Sequence, residues 1–183
     1  GTHFWGFETQ NVVPDIVVLG KPIGNGFPLA AVITTPEIAR SFDNGMEFFS
    51  TFGGNPVASA AGLAVLQVVE EAHLQERALR VGSYLKKSLV SLQKDYPVIG
   101  DVRGSGLFLG VDLVSDPITR SPATEQAAYV VNRLRECGVL TGTDGPFNNV
   151  IKLRPPLIIS ECDVDVFMRI FRSVLAEDPA RPV

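Results

Sequence analysis

The feature that most constrains this chain is an alternation. Short apolar runs bounded by turn residues give way, again and again, to stretches with helical periodicity. DIVVLG (15–20) and LAAVITT (29–35) are too short for helices and rich in β-branched residues, as strands covered on both faces are. Thr35 and Pro36 then offer an N-cap and a first helical position for PEIARSF. Asn55 and Pro56 open a longer helix whose first half is packed with Ala, Gly and Val, small residues that let a helix lie close to its neighbours. A following helix over about 76–94 places Leu79, Leu85, Leu89 and Leu92 on one side and Arg80, Lys86, Lys87 and Lys94 elsewhere. Such a pattern predicts an α/β fold.

The second half continues it with different punctuation. VIGDVRGSGLFLGVDLV (98–114) reads as a turn feeding one strand, LFLGVDLV. Thr124 is the expected cap of a helix stopped by Gly138, and NVIKLRPPLII (149–159) a strand whose double proline places it at an edge or a bulge. Ser160 with Asp163 forms a capping box for the last helix, and the tail from Ala176 is expected to fray. The organisation expected is part of a larger domain over 1–72 and a smaller α/β domain over 73–183. The chain opens on Gly1 with polar and aromatic residues leading straight into a strand, which reads as a piece of a longer protein with an N-terminal portion lost.

Composition narrows the function classes. A formal net charge of −4 argues against a surface built for nucleic acid or anionic lipid, and no apolar run approaches a membrane span. Cys137 and Cys162 lie far apart without a CxxC unit, so neither a disulfide framework nor a metal site is expected. The compartment expected is reducing and cytoplasm-like, with the mitochondrion left open because a leader could precede Gly1.

Two stretches carry chemistry. Lys21 sits between the apolar run and the compact turn PIGNG. A lysine there is most simply a solvated charge. Ligands of α/β sheets nonetheless bind beyond strand C-termini, where a partly desolvated amine becomes a nucleophile toward carbonyls. The residues alone leave both readings open. In FSTFGGNP, Ser50 and Thr51 offer hydroxyls, and Gly53 and Gly54 permit close backbone approach before the helix N-terminus. That is either a phosphate site or a plain capped loop. RGSGLFLG is no dinucleotide fingerprint, since it runs into a strand instead of opening a helix, and Arg103 within it reads as structural. Lys152 and Arg154, two apart on a strand, share a face and could grip a carboxylate or phosphate, or form a solvated edge. His3 and His73 are isolated.

Together PDIVVLGKPIGNGFPLAAVITT, FSTFGGNP, IGDVRGSGLFLGVDLV and the PPL before the last helix resemble the class-III aminotransferases, pyridoxal-phosphate (PLP) enzymes of fold type I. The resemblance runs the length of the chain in order. It implies that Lys21 is the Schiff-base lysine. It also implies that Thr51, with Ser50 beside it, reaches the cofactor phosphate of the neighbouring subunit, hence a homodimer. The aspartate that pairs with the pyridine nitrogen and the glycine loop gripping the phosphate lie upstream in the family, so this piece alone is expected to be a poor catalyst. Many members carry an arginine three residues before the double proline, where it holds the substrate α-carboxylate. Lys152 stands there, with Arg154 against the prolines. A lysine does not reproduce an arginine fork, which turns the expectation away from an ordinary α-amino acid.

The stretches TRSPATEQAAYVV and TDGPFNNVIKLRPPL are most similar to the branch holding the ethanolamine-phosphate and phosphohydroxylysine phospho-lyases. The resemblance therefore implies a transaminase acting on a primary amine or amino acid. The first alternative is a phospho-lyase eliminating phosphate from an amine O-phosphate. The second is a folded piece that holds no cofactor and performs no catalysis. Lys152 and Arg154 are the candidates for the substrate's anion in either enzyme.

Overall fold

The computed structural model describes residues 1–180. The chain divides into two compact units, His3–Gln75 and Glu76–Val183, the latter including Gly1–Thr2.

In the first unit, β1 (Ile16–Leu19) pairs antiparallel with β2 (Ala31–Thr34), from Ile16 opposite Thr34 to Leu19 opposite Ala31. The Thr34 hydroxyl donates to the Asp15 carbonyl at 2.9 Å and closes the open end of the ribbon. The expected strands are present but trimmed at both ends. They are not covered on both faces among the described residues: Ile16 is 52 % and Val18 75 % exposed. α1 (Pro36–Ser41) begins at Thr35, whose side chain accepts from the Ile38 amide. α2 (Pro56–Glu71) begins at Asn55, whose Oδ1 accepts from the Ala58 amide at 2.9 Å. Each cap satisfies one orphan helical N–H, and each is followed by a proline that needs none.

In the second unit a four-stranded antiparallel sheet runs in the order β3-β4-β6-β5, with β3 (Ile99–Ser105), β4 (Phe108–Leu113), β5 (Gly142–Asp144) and β6 (Val150–Leu153). Alternation assigns the two faces. Leu109, Val111 and Leu113 of β4 and Ile151 and Leu153 of β6 are buried on one side. Gly110, Asp112, Val150 and Lys152 point to the other. The buried face joins a core made with Val81, Leu85 and Leu89 of α3 (Leu74–Leu92), Val130 and Leu134 of α4 (Thr124–Glu136), and Phe171 and Val174 of α5 (Glu161–Leu175). Each such side chain contributes about 1.5–3 kcal/mol relative to exposure.

Several expectations are corrected. The stretch read as a turn before LFLGVDLV is the strand β3; pairing with β4 along Val102–Val111 and Gly104–Leu109 outweighs its poor strand propensity. The KLRPP strand is not an edge. β6 lies between β4 and β5 and ends at Leu153, before the prolines. Thr124 is the first residue of α4 and not its cap, because its hydroxyl donates to the Phe147 carbonyl at 2.7 Å. The tail is ordered through Ala180: Glu177 binds Arg133 and Tyr129, and Ala180 is buried. Residues 181–183 of that tail lie outside the described residues. Ser160 and Asp163 form the expected capping box, the Asp163 carboxylate accepting from the Ser160 amide at 2.9 Å.

Candidate active site

Lys21 follows β1 through Gly20, which is extended, and itself adopts φ 52°. That left-handed backbone is uncommon for any side chain outside Asn, Asp and Gly. The turn is fixed from its far side. Asn25, also left-handed at φ 48°, donates its amide to the Pro22 carbonyl at 2.8 Å, and the Phe27 amide reaches the Gly24 carbonyl at 3.0 Å. Gly24 is buried, and a β-carbon there would lie 3.1 Å from that of Leu29. The space beside Lys21 is open, since a β-carbon on Gly20 would meet nothing within 4 Å. The amine is exposed, and no hydrogen bond or ion pair holds it among the described residues. An unpaired lysine at a strand end, on a rigid, strained turn, is a nucleophile's setting more than a fold's requirement.

α2 packs on that turn: Gly62 admits the Leu29 side chain, whose Cδ2 would sit 2.6 Å from a β-carbon at position 62. The N-terminus of α2 carries the second motif. Ser50 Oγ accepts from the Gly53 amide at 3.0 Å, and Asn55 donates to the Phe52 carbonyl at 2.9 Å. Gly54 has φ 70°. Ser50 is thus engaged in shaping the turn while its hydroxyl hydrogen stays free to donate. Thr51 is exposed and carries no hydrogen bond among the described residues. Lys21, Ser50 and Thr51 therefore all stand in the first unit, on segments bound to the same helix.

Lys152 and Arg154 stand in the second unit. Both line a cleft of about 240 Å³ whose floor is Leu85, Val139, Leu153 and Phe167. Their states differ. Lys152 Nζ is held at 2.9 Å by Asp144 Oδ2, whereas Arg154 is exposed with no ion pair among the described residues. Hydrogen bonds from Lys152 and from the Gly145 amide hold the Asp144 carboxyl below the usual range. The sequence alone does not single out Asp144, and only the pairing of β5 with β6 reveals it, by setting Asp144 opposite Val150 and two pairs from Lys152, on the same face. Arg103 is structural, as expected, but on a strand: its guanidinium meets Asp112 at 2.8 Å and Asp101 at 3.0 Å. Asp112 also accepts from the buried Asn149 amide at 2.6 Å, tying β4 to the residue before β6. No cluster of three or more His, Cys, Asp or Glu able to hold a metal occurs among the described residues, and no single helix is long and apolar enough to cross a membrane.

Known proteins resemble this chain along most of its length. Alanine–glyoxylate aminotransferase 2 homolog 2, mitochondrial, of Arabidopsis thaliana is 53 % identical over 163 residues, 89 % of this chain and 34 % of the relative. The Homo sapiens mitochondrial alanine–glyoxylate aminotransferase 2 is 43 % identical over 182 residues, 99 % of this chain and 35 % of the relative. The chain thus spans about a third of the length of these relatives. Among solved structures, an Arthrobacter phospholyase in complex with phosphoethanolamine matches with a TM-score of 0.90 and 40 % identity, over 94 % of this chain and 41 % of that one. A PLP-bound amine transaminase from an uncultivated Pseudomonas species matches with a TM-score of 0.83 and 35 % identity, over 96 % and 41 %. The model for the class-III aminotransferases matches residues 1–175. The family model covers nearly the whole described chain, and this chain belongs to the class-III aminotransferase family.

Proposed function

We propose that the protein containing this chain is a PLP-dependent enzyme of primary amines, and that Lys21 is its covalent attachment point. The observation that carries the reading is the exposed, unpartnered amine on a left-handed residue directly after β1. The residues fit the group: open space beside Gly20 admits a flat ring, and Thr51 with the glycine turn before α2 offers a hydroxyl and backbone amides to a phosphate. When bound, PLP supplies an electron sink for the carbon that bears the substrate amine. With that group bound, Lys21 Nζ would be the base that takes a proton from that carbon and the acid that returns it elsewhere. Its short, fixed turn keeps the amine within reach of one position. Thr51 donates its hydroxyl to the phosphate held by the partner subunit, so the working species is a homodimer. Residues 1–72 serve as the C-terminal part of the large cofactor-binding domain and 73–183 as the small domain. The substrate's anion is gripped by Lys152 and Arg154. The compartment is reducing, the cytoplasm or the mitochondrion, in keeping with two free cysteines and relatives named as mitochondrial.

Transfer of the amine to a keto acid is the first reading, in line with relatives named as aminotransferases. Elimination of phosphate from an amine O-phosphate is the second. It is favoured by Lys152 in the place of an arginine fork and by the phosphoethanolamine-bound phospholyase among the structural matches. The two separate in one experiment on the full-length protein. Given phosphoethanolamine without a keto acid, a transaminase halts after at most one turnover per site, whereas a lyase releases phosphate steadily. The account expects one of these outcomes. Inertness toward phosphoethanolamine and toward a panel of primary amines with a keto acid contradicts it.

A further inference from the structure

The open face of the sheet is a lattice of two rows. Cross-strand neighbours Arg103, Gly110, Lys152 and Gly142 form one, and Asp101, Asp112, Val150 and Asp144 the next. Each cation of the first row is met by carboxylates of the second, Arg103 by Asp101 and Asp112, Lys152 by Asp144. Gly110 places no side chain between the cations, where a β-carbon would lie 2.9 Å from Val150 Cγ1, and Arg103, Asp144 and Lys152 line a cleft of about 190 Å³ there. Asp144 is not free to swing away. Its Oδ1 accepts from the Gly145 amide at 2.9 Å and its Oδ2 from Lys152 at 2.9 Å. Gly145, at φ 84°, makes the tight turn that fixes that amide. The Lys152 side chain is 27 % and that of Asp144 59 % exposed, so the ammonium is partly removed from water while the carboxylate stays solvated, and the pair acts through its 2.9 Å contact and not through burial.

We propose that Asp144 is a positioning and specificity-determining residue: it fixes the Lys152 ammonium at the sheet face and offsets its charge, moderating the grip on the substrate's anion. The inference rests on the reading that Lys152 meets that anion. The Coulomb energy of a bound anion scales with its own charge, so a carboxylate beside Lys152 penalises a phosphate dianion about twice as much as a sulfate ester. Asp144 therefore flattens discrimination between doubly and singly charged esters. An enzyme so built holds an amine O-phosphate loosely enough to release inorganic phosphate.

The test is calorimetric binding of monoethyl phosphate and monoethyl sulfate to the full-length holoenzyme at pH 8. Neither compound carries an amine, so neither turns over. Asp144→Asn is expected to tighten ethyl sulfate about threefold and ethyl phosphate about tenfold, the squared ratio that doubled charge demands. Asp144→Ser should discriminate as Asn does, and Asp144→Glu, which restores the charge, should return both affinities toward the wild type. Equal changes for the two esters, or weaker binding of both, overturn the proposal, since a merely structural role cannot read ligand charge. Lys152→Gln separates the two failures. If it leaves ethyl phosphate binding unchanged, Lys152 does not meet the anion and both readings fall. If it weakens binding while Asp144→Asn leaves discrimination unaltered, only the role of Asp144 falls.

Discussion

Lys21 holds a left-handed backbone conformation that costs a side-chain-bearing residue about 1–2 kcal/mol. Its exposed side chain makes no hydrogen bond or ion pair among the described residues that offsets this, which is why function explains it better than stability does. Glu177 is the contrasting case, a charged residue whose partners all serve the fold. The Tyr129 hydroxyl donates to it and Arg133 Nε approaches both oxygens at 3.0 and 3.1 Å, so its carboxyl is held below the ordinary range, chiefly by the Tyr129 bond. A carboxylate with a lowered folded pKa contributes stability that is complete above its unfolded pKa and lost as the pH falls through the folded one. Acidification followed by circular dichroism should therefore erode wild-type stability more steeply through the range between the unfolded and folded carboxylate pKa than it would without this cluster. In Glu177→Gln the neutral-pH stability should drop and the acid limb below about pH 4 should flatten. An unchanged acid limb contradicts the role given to this cluster.

Among elements, the starts of three helices were legible, the start at Thr124 was off by one residue, and strand partners were not legible. Thr35–Pro36, Asn55–Pro56 and Ser160–Asp163 carry their information within four residues, and each starts the helix expected of it. β3 lacks a local signature because Gly100, Asp101 and Gly104 disfavour strands, and only β4 beside them makes the ladder. The same limit hid Asp144: a partner eight residues away across a hairpin has no local signature. Glycines that look permissive in sequence prove to be close-contact sites. Gly82 of α3 faces the β3–β4 turn, and a β-carbon there would lie 2.1 Å from the Gly106 carbonyl oxygen. Backbone, unlike a side-chain tip, cannot step aside. Gly82→Ala should destabilise the protein by about 1–3 kcal/mol or more in denaturant melts, despite the better helix propensity of alanine. A gain in stability would show that α3 does not approach that turn.

At the scale of the molecule the two units differ in how much of their apolar surface is covered. The second encloses a continuous core from Val81 to Val174. The first leaves Val18, Phe48, Phe49 and Phe52 at 73–80 % exposure, around the segments that carry Lys21 and Thr51. The unit that carries Lys21 and Thr51 is thus the one whose apolar side chains are left uncovered among the described residues. That is why its strands, read as covered on both faces, were legible as strands but not in their environment. The family motifs gave Lys21 and Thr51 as candidates; the structure adds the strained, unpartnered state of Lys21 and the neutralised state of Lys152. The most direct test of the central claim is borohydride reduction of the full-length protein loaded with PLP, followed by peptide mass mapping. The account predicts a pyridoxyl adduct on the peptide carrying Lys21, and none in a folded Lys21→Ala variant; an adduct on a different lysine of the wild-type protein, or no adduct at all, contradicts it.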